Sequence, residues 1–300
     1  MTGGGPGIGL GARETIGAIQ REAGIQGENA PAQRRGISIG KIVSWIVFIV
    51  AMFYFFMPLV ATLEFSLRAR PAGAAYANTF KDPQFFGGLF YSFVIGLITI
   101  VVSTLLIVPT AYWVRLKLPR LRPYVEFVTL MPFVIPAVVL AFGLIRSFSN
   151  GPLPLAASQR GSDVLLVAAY TILSFPYMYR AVDTGLRTID VQSLTEAGQS
   201  LGSGTLRILW SVIFPNLRVA ILSGAFLTLA IVIGEFTLAN YLARPAFGPY
   251  LSRLGQNRSY EPAAVSLISF GLTWIAMGFI AFLGRSSRGR ADRVEIGGVH

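Results

Sequence analysis

Six long apolar blocks, each ended by charged or polar residues, organise this chain. They run from Lys41 to Glu64, within Gly88 to Trp113, within Tyr124 to Phe148, from about Val164 to Tyr179, from Asn216 to Leu242, and from Ala263 to Leu283. About 20 residues at 1.5 Å rise cross the hydrocarbon of a bilayer, and soluble helices carry only a stripe of apolar positions. The pattern therefore predicts an all-α polytopic membrane protein with six transmembrane helices over 41–284, the fourth being the shortest. Residues 1–40 are rich in Gly, Ala, Gln and Arg with almost no aromatics, as expected of a flexible cytosolic N-terminal tail. Residues 285–300 read as a cytosolic C-terminal tail. The first apolar block begins only at Lys41, which is unlike a cleavable secretory signal, so it is expected to stay in the membrane.

Composition sharpens this picture. Of 300 residues 53% are hydrophobic and only 13% charged, against about a quarter charged in soluble proteins, which excludes a soluble enzyme. There is no cysteine and one histidine, His300, so Cys- or His-based catalysis and metal ligation are not expected. The net charge of +11 raises nucleic acid as a partner, yet no basic and aromatic soluble module exists to hold one. Bilayer topology accounts for the excess. Arg34, Arg35 and Lys41, then Arg115, Lys117, Arg120 and Arg122, then Arg180, Arg187, Arg207 and Arg218, and finally Arg285, Arg288, Arg290 and Arg293 all fall on one side of a six-span chain. Basic flanks stay cytosolic, so both termini are expected there. The opposite loops are less clean, since they hold Arg68, Arg70, Lys81, Arg244, Arg253 and Arg258.

The connection from Arg180 to Pro215 is the longest on that side. Its pattern predicts two helices, Asp190 to Leu201 and Ser203 to Ile213, broken at Gly202, which fits a left-handed helix terminus. Asp190 can cap the first, and Ser193-Leu194-Thr195-Glu196 also has capping-box spacing, so two caps compete. Leu194, Ala197 and Leu201 share one face and form a small apolar knob. That knob suits either a groove in a partner or the chain's own helix ends.

Glu196-Ala197-Gly198-Gln199-Ser200-Leu201-Gly202, continuing to Val212-Ile213-Phe214-Pro215, resembles the EAA loop of binding-protein-dependent ABC importer permeases (E-A-A-x-x-x-G, nine residues, I-x-L-P). Gly198 replaces the second alanine, Val212 the isoleucine and Phe214 the leucine. The resemblance extends to Asp82-Pro83-Gln84-Phe85, to Met131-Pro132-Phe133-Val134-Ile135-Pro136 and to Gly234-Glu235-Phe236, covering roughly Lys41 to Gly284. It implies a permease subunit of the bacterial cytoplasmic (inner) membrane whose cytosolic coupling helix, between helices 4 and 5, docks on a separate ATPase dimer. Glu196, Ala197, Gly198, Leu201 and Gly202 would form the contact, with Glu196 facing a basic residue of the ATPase. ATP and Mg would bind that partner, and this chain has no G-x-x-x-x-G-K-[ST] loop of its own. The further partners implied are a second permease subunit, as a heterodimer, and an extracytoplasmic solute-binding protein. The look of spans three and five is closer to the polyamine, ferric-iron, thiamine and phosphonate branch than to sugar permeases. A polyamine is the first choice of solute. Rival readings are an ion-coupled secondary carrier, which should show inverted repeats and midplane charges, and a non-transporting membrane scaffold.

Substrate-pathway candidates follow from the cost of polar groups at membrane depth. Glu235 stands out. On a straight fifth helix starting at Asn216 it lies about 28 Å along, near the outer interface, where it either faces a cationic solute or pairs with Arg244. Tyr170, Ser174, Tyr177 and Asn240 are further candidates, although Tyr and Ser in spans commonly bond a neighbouring helix. Pro132, Pro136 and Pro176 are expected to kink their helices, and Glu126 to pair with Arg122.

Overall fold

The computed structural model describes residues 39–150 and 153–286, so the two expected tails fall outside the described residues apart from 39–40 and 285–286. Contacts divide the chain into two units, Met1–Met57 and Pro58–His300. In the first unit the described residues form the beginning of helix α1 (Ile39–Leu67). Its aromatic run is uncovered, with Phe53 71% and Tyr54 79% exposed, as suits a helix surrounded by hydrocarbon.

In the second unit the end of α1 is followed by α2 (Ala74–Lys81), α3 (Pro83–Leu116), α4 (Arg122–Val134), α5 (Ala137–Ser149), α6 (Gln159–Arg187), α7 (Val191–Ser200), α8 (Thr205–Asn216), α9 (Arg218–Gly234), α10 (Thr237–Tyr241), α11 (Phe247–Asn257) and α12 (Glu261–Ser286). No strand occurs among the described residues. The all-helical expectation holds. Helices α3, α6 and α9 pack pairwise as the centre of this unit. At one end Val108 and Tyr112 of α3 meet Val182 and Leu186 of α6 and Ile208 and Ile213 of α8. Further along, Ile95, Leu166, Tyr170, Val232 and Leu238 form a second core. Beyond it Phe85, Phe247, Tyr250 and Val265 form a third.

The expected blocks are helical, but among the described residues only three of them are single helices of spanning length. Gly40–Leu67, Pro83–Leu116 and Gln159–Arg187 are each long and apolar enough to cross a membrane. The fourth block, expected to be the shortest, is a 29-residue helix because α6 continues through Asp163, Arg180 and Asp183. The third block is not one helix: α4 and α5 meet at 96°. Ile135 is extended (φ −83°, ψ 116°), the conformation that a following proline favours, and Pro136 has no N–H to continue the ladder. Pro176, by contrast, lies inside an uninterrupted α6. The fifth block also breaks. Helix α9 ends at Gly234, Glu235 is extended (φ −75°, ψ 127°), and α10 starts at Thr237. Preceding it, α8 and α9 meet at 75°. Counting each bent pair as one crossing gives five, and the described apolar part of α12, Glu261–Ile275, is shorter.

Candidate functional site

The end of α3 and the segment after α6 are brought together by local capping and one buried bond. Asp190 is the cap: its carboxylate accepts from the Ser193 amide at 3.1 Å and from the Ser193 hydroxyl at 2.7 Å. Those two bonds hold the Asp190 carboxyl below the ordinary carboxylate range. The competing capping box at Ser193 does not form, because the helix already starts at Val191 and Ser193 lies inside it, its hydroxyl donating to Asp190. Helix α7 then closes at Gly202, whose φ of +76° is the left-handed turn that a β-carbon disfavours. The next helix is capped by Gly204 rather than by Ser203 or Thr205.

One face of this hairpin belongs to the chain's own core. Thr195 is buried and donates to the Val191 carbonyl at 2.7 Å, which leaves its oxygen to accept from the Tyr112 hydroxyl at 3.0 Å. Tyr112 is fully buried near the end of α3, so α7 is tied directly to a membrane helix. Gly198 belongs to the same face. A β-carbon there would sit 2.8 Å from Ile208 Cγ1, so glycine at this place of the motif lets α7 and α8 approach closely. Leu194 also packs inward. The expected knob is therefore divided: Leu194 turns to the core, while Ala197 and Leu201 remain outside, Leu201 being 86% exposed. Glu196 is exposed too and accepts from the Gln192 side-chain amide at 2.9 Å. A cleft of about 390 Å³ beside it is walled by Arg115, Lys117, Asp190 and Gln199.

Two of the basic groups expected on one membrane side, that after α3 and that after α6, meet at one end of the helices, while Arg34, Arg35, Arg288, Arg290 and Arg293 of the tails lie outside the described residues. Arg122 donates to Glu126 at 3.0 Å and to Asp183 at 3.1 Å, and Arg187 pairs with Asp183 at 2.8 Å. At the far end, about 31 Å away if 21 helical residues separate Tyr91 from Tyr112, Tyr91 and Arg244 both bond Asp163, with Arg244 Nε 2.8 Å from the carboxylate. That separation matches the thickness of a bilayer core.

Among the pathway candidates, Glu235 requires a correction. It is not on a straight fifth helix, since the chain leaves α9 before it, and Arg244 pairs with Asp163 instead. Its carboxylate accepts from the amides of Leu238 at 2.9 and 3.0 Å and Ala239 at 3.2 Å, capping α10. It also accepts from the Tyr170 hydroxyl at 3.0 Å, and Tyr170 is buried in the second core. Ser174 is buried and bonds Ser103 of α3 at 2.6 Å. Asn240 is exposed on α10. Tyr177 lies apart from these, edge-on to Phe133 at 5.5 Å, in a groove of about 920 Å³ between α4, α6, α8 and α9. Sequence reasoning did not single out that groove. Its lining includes Arg180, Thr184, Asn216 and Ser223. Among the described residues no cluster of His, Cys, Asp or Glu could hold a metal ion.

Fold and site together define a helical membrane component that presents a capped helical hairpin at one end. The chain matches, over residues 107–286, the family described as "Binding-protein-dependent transport system inner membrane component", and it belongs to that family. It is 25% identical over 186 residues to the ferric transport system permease protein FbpB of Actinobacillus pleuropneumoniae, an alignment covering 60% of this chain and 26% of that protein. It is 30% identical over 182 residues to the molybdenum transport system permease protein ModB of Escherichia coli (strain K12), covering 54% and 77%. The chain thus spans about a quarter of the length of the ferric relative. Among solved structures it resembles a bacterial ABC transporter involved in the import of the acidic polysaccharide alginate, with TM-score 0.62 and 13% identity over 82% of this chain and 95% of that one. That likeness is one of fold.

Proposed function

We propose that this chain is the transmembrane permease subunit of an ATP-driven importer for a small solute, and that α7 with the Gly202 turn is its coupling element. The observation that carries this is the two-sided hairpin. Val191, Thr195 and Ile208 are buried in the chain's own core while Leu201, at the tip, is 86% exposed. An exposed leucine on a rigidly anchored turn is what a partner's groove would take up, and the Tyr112 bond would pass its displacement to α3. In this reading a separate ATPase dimer binds ATP and Mg and receives Glu196, Ala197 and Leu201, with the hairpin and both termini cytosolic. A second permease subunit, forming a heterodimer, and an extracytoplasmic solute-binding protein complete the assembly in the bacterial inner membrane. Six crossings fit if each broken block and α12 traverse once. A polyamine has lost its support: the relatives are named for ferric iron and molybdenum, and Glu235 is occupied by Tyr170 and by two amides.

The test is co-purification of the tagged full-length chain from its native membrane, with Leu201→Ser and Glu196→Ala beside the wild type. The wild type should bring an ATPase, and both variants should retain it at least about tenfold less while inserting normally, because neither side chain is buried. Equal ATPase recovery with all three chains would refute the coupling assignment.

A further inference from the structure

Resting on the permease reading, we infer that the groove centred on Arg180 is the part of the solute path lined by this chain and that it handles a small oxyanion. Helix α6 has 29 residues, so Arg180 stands seven residues, about 10 Å, from its midpoint at Leu173. With that helix centred on the bilayer, the guanidinium originates inside the hydrocarbon half-thickness of about 15 Å. A cation at that depth must face water, a partner charge or a pathway.

No partner charge is at hand. Among the described residues no carboxylate lies within 4.0 Å of Arg180, and the groove is lined by no Asp or Glu. Asp183, the acid nearest in sequence, holds Arg122 and Arg187, and Glu126, the other carboxylate of that cluster, holds Arg122. Three arginines therefore meet two carboxylates, which leaves one positive charge at the groove. Tyr177, Arg180 and Thr184 fall three and four residues apart on α6 and share a face. Neither the Tyr177 nor the Thr184 hydroxyl is engaged by another described side chain or carbonyl, so two neutral donors flank the guanidinium. The proton of Ser223, on α9 across the groove, is directed to the Val219 carbonyl, and that of Thr188, at the end of α6, to the Gly185 carbonyl. A planar guanidinium between two hydroxyl donors binds an oxyanion bidentately and repels a polyamine or a bare metal cation. A lipid phosphate has the same chemistry as a solute oxyanion, and the experiment distinguishes the two.

The assembled importer, isolated with its ATPase and solute-binding protein and reconstituted in proteoliposomes, is assayed for ATP-driven uptake of radiolabelled sulfate, molybdate, phosphate and putrescine. Wild type, Arg180→Lys and Arg180→Ala are compared in phosphatidylcholine alone and with added phosphatidylglycerol. One of the oxyanions should be taken up and putrescine should not. Arg180→Ala should slow that uptake at least about tenfold, the usual scale for a lost charged hydrogen bond, and Arg180→Lys should slow it less. ATPase recovery with the three chains should be equal. Undiminished uptake by Arg180→Ala, or transport of putrescine, would overturn the inference alone. So would a defect confined to the phosphatidylglycerol vesicles, which would assign Arg180 to a lipid headgroup. A wild-type chain that carries no ATPase would remove the permease reading and this inference with it.

Discussion

Replacing Glu235 by alanine distinguishes a structural carboxylate from a solute ligand. The substitution removes the acceptor for the Leu238 and Ala239 amides and for the Tyr170 hydroxyl. Loss of a side-chain cap costs about 0.5–2 kcal/mol. The Tyr170 hydroxyl, on a residue only 1% exposed, would then be a buried donor without a partner, at about 1–3 kcal/mol. Together these give about 1.5–5 kcal/mol, toward the lower end where water enters the vacated space. Tyr170→Phe removes the donor but leaves the carboxylate on its amides, and should cost about 0.5–1.5 kcal/mol. Because the two groups share one bond, the double variant should be less destabilised than the sum of the singles by at least about 0.5 kcal/mol. Denaturant unfolding of the purified chains in detergent, followed by helical circular dichroism, measures all three. If Glu235→Ala unfolds at the wild-type midpoint while abolishing uptake, the capping argument is wrong and the carboxylate belongs to the solute.

Two other substitutions probe the hairpin. Gly198→Ala improves helix propensity by up to about 1 kcal/mol but drives a methyl into Ile208, 2.8 Å away; it should yield no net gain in unfolding midpoint, and adding Ile208→Val should recover part of the propensity benefit. Asp190 gives a pH dependence. Its folded pKa lies below the unfolded one, so its contribution is complete above the ordinary carboxylate range and is lost as pH falls through the depressed folded value. The protection factors of the α7 amides, taken against their intrinsic exchange rates at each pH, should fall over that acidic interval in the wild type, and Asp190→Asn should flatten the dependence.

What the chain states locally was legible without coordinates. Long uncharged blocks report helices because burial in hydrocarbon depends on each block's own composition. A carboxylate three residues ahead of a free amide, and a glycine at a helix end, likewise need only neighbours, which is why the Asp190 to Leu201 helix and the Gly202 turn were foreseeable. The break at Ile135 was half-visible, since Pro136 announces a disturbance but not a 96° bend. The remainder depended on groups far apart in sequence. Apolar residues on both sides of Glu235 imitate a continuous helix, and the Tyr170 hydroxyl that meets its carboxylate comes from 65 residues earlier. Arg180 looked like one more topology-setting cation until Asp183 was found bonded to Arg122, 61 residues before it. Which buried donor meets which acceptor, and which charge is left over, is set by the packing of α3, α6 and α9, because hydrogen bonds and ion pairs act over a few ångströms of space whatever the length of chain between them.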